Sequence, residues 1–60
     1  MNEEQELFTT SAAARLIGRS SESVRAYARA GRIAATRTTT GLRLFRRADL
    51  ERLAAELERA

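Results

Sequence analysis

A mostly α-helical domain, with three helices and one small β-hairpin, is the fold class this sequence predicts, on three observations. Gly18, Gly31 and Gly41 punctuate the chain into four pieces. Apolar residues recur at helical spacing on both sides of Gly18 and again at Leu50, Leu53 and Leu57. Between those stretches, Thr36, Thr38, Thr39 and Thr40 precede Gly41 and Leu42-Arg43-Leu44-Phe45, the β-branched and aromatic signature of a hairpin.

Residues 1–6 are polar and charged and read as a disordered N-terminal tail, leaving 7–60 as the single domain. A first helix is expected after a Thr N-cap, Thr9 or Thr10, running to about Ile17 and ended by Gly18. At about 100° per residue, Thr10, Ala13, Leu16 and Ile17 form its apolar face, with Ser11 and Arg15 pointing away. Ser20 caps a second helix. Glu22 sits in its first turn, where negative charge is favourable, and Gly31 closes it at about the C′ position. Val24, Tyr27 and Ala28 face inward; Glu22, Arg25, Ala26 and Arg29 form the opposite stripe. Two helices joined by a tight Gly-Arg-Ser turn make a helix-turn-helix. The hairpin occupies about 33–46, its loop within Thr38 to Gly41. Leu44 and Phe45 are adjacent and both apolar, so one of them is assigned to the corner before the last helix, which is expected over about 47–58.

Sixty residues make one domain with a thin core. With Cys 0 and His 0, the sequence offers no disulfide, no thiolate or imidazole metal site, and no Cys or His catalyst. All eleven basic residues are Arg, so no Lys nucleophile exists either. The three glycines are too widely spaced for a phosphate-cradling loop. The chain is therefore expected not to be an enzyme and to hold no cofactor or metal. Apolar runs of at most three residues exclude a membrane-spanning segment, and a cytoplasmic, nucleoid-associated protein is expected.

Charge carries the functional signal. The net +3 hides a partition: residues 15–47 hold nine Arg against the single acid Glu22, while both ends are acidic. A basic block between acidic ends is the footprint of a polyanion-binding protein, and Arg presents a planar fork suited to phosphate and guanine. Arg25 and Arg29 lie one turn apart on the solvent side of the second helix, the element that enters the DNA major groove in a helix-turn-helix. Ser21, Glu22 and Ala26 complete that surface. Arg37 and Arg43 on the hairpin reach a flanking minor groove or the backbone, which makes the fold a winged helix-turn-helix of three helices plus wing.

The stretch Phe8 to Leu53 resembles the DNA-binding domain of MerR-type and excisionase-type winged-helix proteins. The residues that carry the likeness are Phe8-Thr9, Ala14, Gly18-Arg19-Ser20, Val24-Arg25-Ala26-Tyr27, Gly31-Arg32-Ile33, Gly41-Leu42-Arg43-Leu44-Phe45 and Asp49-Leu50-Glu51-Arg52-Leu53. The resemblance implies that Arg25 contacts bases or backbone, that the Tyr27 hydroxyl meets a phosphate, and that Arg43 grips the backbone or minor groove. Leu42 stands where the family has an aromatic residue. Arg46 replaces a Ser or Thr cap, a loss worth about 1 kcal/mol unless another group substitutes. The sequence ends near the point where regulatory members continue into a dimerising helix and a sensing domain, so no small-molecule effector is expected.

Each assignment has a plainer rival. Arg25 can serve as an i+3 ion-pair partner of Glu22, Tyr27 as a packed ring with a wet hydroxyl, and Arg37 and Arg43 as guards of sheet edges. Arg15, Arg19, Arg46 and Arg47 are generic phosphate candidates. The leading expectation is a sequence-specific double-stranded DNA-binding protein, a small MerR-like transcriptional regulator or an excisionase-like recombination or phage DNA-packaging factor. It is expected to act as more than one copy per site, since one small module buries too little DNA for strong specificity. The rival of another class is a protein-interaction module docking through its C-terminal Leu stripe.

Overall fold

The computed structural model describes residues 6–59. Along the chain run β1 (Leu7–Thr9), α1 (Thr10–Ile17), α2 (Ser21–Arg29), β2 (Thr36–Arg37), β3 (Arg43–Arg46) and α3 (Arg47–Arg59). The three helices and the antiparallel sheet, in the order β1-β3-β2, have the architecture of a winged helix-turn-helix.

Local chemistry sets most of the boundaries. Thr9 closes β1 and also caps α1: its backbone is extended, and its Oγ1 accepts the Ala12 N–H at 3.2 Å. Gly18 ends α1 at φ 71, a left-handed conformation that costs a residue with a Cβ. Ser20 caps α2, accepting the Ser23 N–H at 3.1 Å. The end of α2 is a Schellman motif, in which the Arg32 N–H reaches the Tyr27 carbonyl at 2.9 Å and the Gly31 N–H reaches that of Ala28 at 3.1 Å. These motifs compress the helix-turn-helix into about twenty residues with no free loop.

The core is assembled from every helix and from β3. Ala13 and Ala14 of α1, Val24 of α2, Phe45 of β3, and Leu50 and Leu53 of α3 are buried, together with Ile33 from the segment after α2. Phe8, Ile17, Tyr27, Ala28 and Leu57 pack around that cluster. The two alanines of α1 leave room for α2 and α3 to pack against it. Leu50, Leu53 and Leu57 all point into the domain, so the apolar stripe required by the protein-docking alternative is consumed by the core.

Four expectations are corrected. The sheet has a third strand, because Leu7, Phe8 and Thr9 pair with Arg46, Phe45 and Leu44. The wing strands are shorter than 33–46 suggests: β2 is two residues long, and buried Ile33 belongs to the connection before it. Leu44 and Phe45 both lie within β3, and α3 begins at Arg47 with no corner residue between. Leu16 is 38% exposed rather than part of the apolar face of α1. That face centres on Ala13, Ala14 and Ile17, about 110° from Leu16.

Of the tail expected over 1–6, residues 1–5 lie outside the described residues. Glu6 is engaged: its carbonyl accepts the Arg47 N–H at 3.0 Å, and its carboxylate accepts from Arg47 Nε at 2.9 Å. The first of these bonds satisfies an amide at the start of α3, where the family's Ser or Thr cap is missing, and Asp49 supplies negative charge in the first turn.

Phe45 is the largest fully buried side chain. Phe45→Ala is expected to cost about 3–5 kcal/mol, comparable to the whole stability of a domain this small. Thermal unfolding followed by circular dichroism should show a chain largely unfolded at 37 °C.

Candidate nucleic-acid interface

The outward stripe of α2 follows from what the helix buries. Val24 is fully enclosed and Tyr27 and Ala28 are half-buried against the core, which turns Glu22, Arg25, Ala26 and Arg29 into solvent, all four exposed. Ser21, at the start of the helix, is half-buried. Arg25 and Arg29, at i and i+4, share one side of the helix.

The wing is shaped by its turn. The Thr38 carbonyl accepts the Gly41 N–H at 3.0 Å, and the Thr38 N–H donates to the Leu42 carbonyl at 2.9 Å. The loop Thr39-Thr40-Gly41 is thus a three-residue hairpin connection, with Gly41 at φ 87 supplying the left-handed step such loops need. Thr38 Oγ1 also accepts the Leu42 N–H at 3.1 Å and shares a hydrogen bond with Thr40 Oγ1 at 2.9 Å. Here the expected loop position holds. Behind the turn, Arg37 pairs directly with Arg43 across the two strands, and Leu42 is 50% exposed.

These two surfaces meet. An open groove is lined by Ala28 and Arg29 of α2, by Ile33, Ala34 and Ala35 of the connection, and by Arg37 and Arg43 of the wing. Arg29 of α2, Arg37 of β2 and Arg43 of β3 therefore border one open concavity. Arg25 extends the same stripe one turn toward the start of α2. Arg15 on α1 and Arg19 in the inter-helix turn are exposed but do not line this groove.

Ion pairing is confined to other parts of the molecule. Among the described residues, salt bridges join Arg47 to Glu6 at 2.9 Å, Arg47 to Glu51 at 3.5 Å, and Arg52 to Asp49 at 3.5 Å. None involves Arg15, Arg19, Arg25, Arg29, Arg37 or Arg43. The Glu22–Arg25 ion pair considered from the sequence does not form. Arg37 and Arg43 face each other with no acid between them, an arrangement that disfavours the free sheet.

Arg47 is removed from the phosphate candidates. Its guanidinium lies over the Phe8 ring, 5.1 Å from the centroid, while binding Glu6 and Glu51. The hydrogen bond to Glu6 is the main cause that raises its pKa above the usual value. Arg46 is exposed beside it, opposite Leu7 on β1. Tyr27 is half-buried against the core, and its ring is covered by Arg32 at 5.3 Å from the centroid. Sequence reasoning missed this role of Arg32. The signal was present, because a Schellman end folds the residue after the C′ glycine back over the position five residues earlier.

No helix among the described residues is long and apolar enough to cross a membrane. In comparison with known proteins, a family model described as a helix-turn-helix domain, of the excisionase-like group, matches residues 7–58. No curated protein matches the sequence.

Arg37→Gln is expected to stabilise the free chain by a few tenths of a kcal/mol at low ionic strength, because it removes a cross-strand like charge. Melting curves at 20 mM and about 1 M salt check the cause, since screening should erase the gain.

Proposed function

The chain belongs to the excisionase-like helix-turn-helix domain family, and from that premise we propose that it is a sequence-specific double-stranded DNA-binding protein. The observation that carries the reading is the groove shared by Arg29 of α2 with Arg37 and Arg43 of the wing. A helix laid in the major groove and a wing beside it straddle one strand of the duplex, and arginines bordering the cleft between them are where its phosphates pass. Among the described residues those charges have no acidic partner, so a polyanion supplies the counter-charge.

In this reading, α2 enters the major groove with Ser21, Glu22, Arg25, Ala26 and Arg29, and Arg25 binds a guanine edge or a backbone phosphate. Arg43 and Arg37 hold the backbone or the neighbouring minor groove. Arg15 and Arg19 approach flanking phosphates. The Tyr27 ring supports α2 from behind, with its hydroxyl the part available to a phosphate. The work is binding, not catalysis, and needs no cofactor or small-molecule effector. One copy covers little DNA, so two or more bind each site, as a dimer or side by side on repeats.

The small MerR-like transcriptional regulator is the first biological reading, on the likeness of the α2 and wing residues. An excisionase-like architectural role is the second, favoured by the family match. A promoter reporter and a duplex-bending assay on the selected site separate them: a regulator alters transcription there, whereas an architectural factor bends the site and leaves transcription unchanged.

Selection of bound sequences from a random duplex pool should return a short repeated motif. With roughly five phosphates neutralised, the slope of log affinity against log salt is expected near −4.5. Arg25→Ala should weaken specific binding by about 1–3 kcal/mol and relax one position of the motif if that residue pairs with guanine. Arg43→Ala should weaken all sequences alike and reduce the salt slope by about 1. Retention of no duplex at low salt would rule the function out.

A further inference from the structure

Glu22 is the only acid among residues 15–47, and it stands in the middle of the surface assigned to DNA. A carboxylate there is repelled by phosphates, and the fold does not neutralise it. It is exposed, and among the described residues it forms no ion pair, even with Arg25 one turn away. Ser20, not Glu22, caps the helix. We propose that Glu22 reads a cytosine in the major groove, on the base pair next to a guanine read by Arg25, so that the recognised half-site contains a guanine–cytosine step. This rests on α2 being the major-groove helix.

The chemistry of the base edges leads to that choice. An ionised carboxylate only accepts hydrogen bonds. In the major groove, guanine offers two acceptors and thymine an acceptor and a methyl group, so both repel or waste it. Adenine offers a donor beside the acceptor N7, which opposes the second carboxylate oxygen. Cytosine presents its amino group alone. Arg25, with its fork of donors, suits guanine O6 and N7. Three residues of helix rise about 4.5 Å, against about 3.4 Å between stacked bases, which puts the two side chains over adjacent base pairs. Glu22 lies in the first turn of α2 and Arg25 at its midpoint, and the N-terminal part of a recognition helix is the part that meets base edges. The charge serves selectivity at the expense of general affinity, because a wrong base leaves a desolvated carboxylate facing acceptors.

The test is parallel selection from a random duplex pool with the wild-type chain, Glu22→Gln and Glu22→Asp, together with affinities for random duplex. The wild type is expected to select a motif containing cytosine beside guanine. Glu22→Gln should move the cytosine position to adenine, which suits an amide, with about tenfold discrimination, and should bind random duplex several-fold more tightly. Glu22→Asp keeps the charge at the helix start but withdraws the acceptor, and should lose the cytosine preference. If all three proteins select the same motif, Glu22 serves only the helix dipole and the proposal is overturned while DNA binding stands. If the wild type binds no duplex, the reading of α2 falls and the proposal falls with it.

Discussion

The burial of Phe45 in the middle strand is the constraint on which the rest of the molecule depends. β3 pairs with β1 along one edge and β2 along the other, and it runs straight into α3. Strand side chains alternate between faces, so sealing Phe45 in the core commits Arg43, two residues earlier, to the same face. At that end of the strand the core has run out, and Arg43 emerges beside α2 and opposite Arg37. A slip of one residue would expose Phe45 and turn Arg43 away from the groove. The strand that completes the hydrophobic core is thus the strand that aims the wing.

A domain of this size has little core to spend on loops, and the chain economises at its junctions. Thr9 is both the last residue of β1 and the cap of α1, and Arg46 and Arg47 join β3 to α3 without an intervening residue. Because β1 and β3 run antiparallel, α1 and α3 leave the strand pair at opposite ends, and the start of α3 lies beside Glu6 at the entry to β1. Arg47 fastens that corner by stacking on Phe8 and binding Glu6 and Glu51. Its ion pairs are exposed and contribute modestly to stability; their greater effect is to hold a three-residue strand in register.

The electrostatic design divides the molecule. The salt bridges among the described residues, Arg47 with Glu6 and Glu51 and Arg52 with Asp49, all lie around β1 and the first turns of α3, whereas the arginines of α2 and the wing have no acidic partners there. A free domain built for stability alone would place a carboxylate between Arg37 and Arg43. Leaving them opposed disfavours the free sheet, and in the proposed function that uncompensated charge is what a polyanion meets. Glu22 fits the same division: it is the one acid among residues 15–47, and among the described residues it forms no ion pair.

Local sequence determined the helices, their caps, the wing turn and the exposed stripe of α2, because each depends on a side chain reaching backbone within a few residues, or on helical periodicity. Ser20, Gly31 and the Thr38–Gly41 turn were legible for that reason, and so were Glu22, Arg25, Ala26 and Arg29 as one surface. Strand β1 was not legible: three residues carry no period, and Leu7–Thr9 becomes a strand only when β3 offers it a partner about forty residues away. The same holds for Arg47, whose removal from the phosphate candidates depends on Phe8 and Glu6, and for Leu16, whose exposure is decided by where α2 and α3 pack on α1. Clustering of arginine was visible in the chain; which of those arginines share a groove was decided by the packing of the wing against α2, since long-range pairing alone converts positions in sequence into neighbours in space.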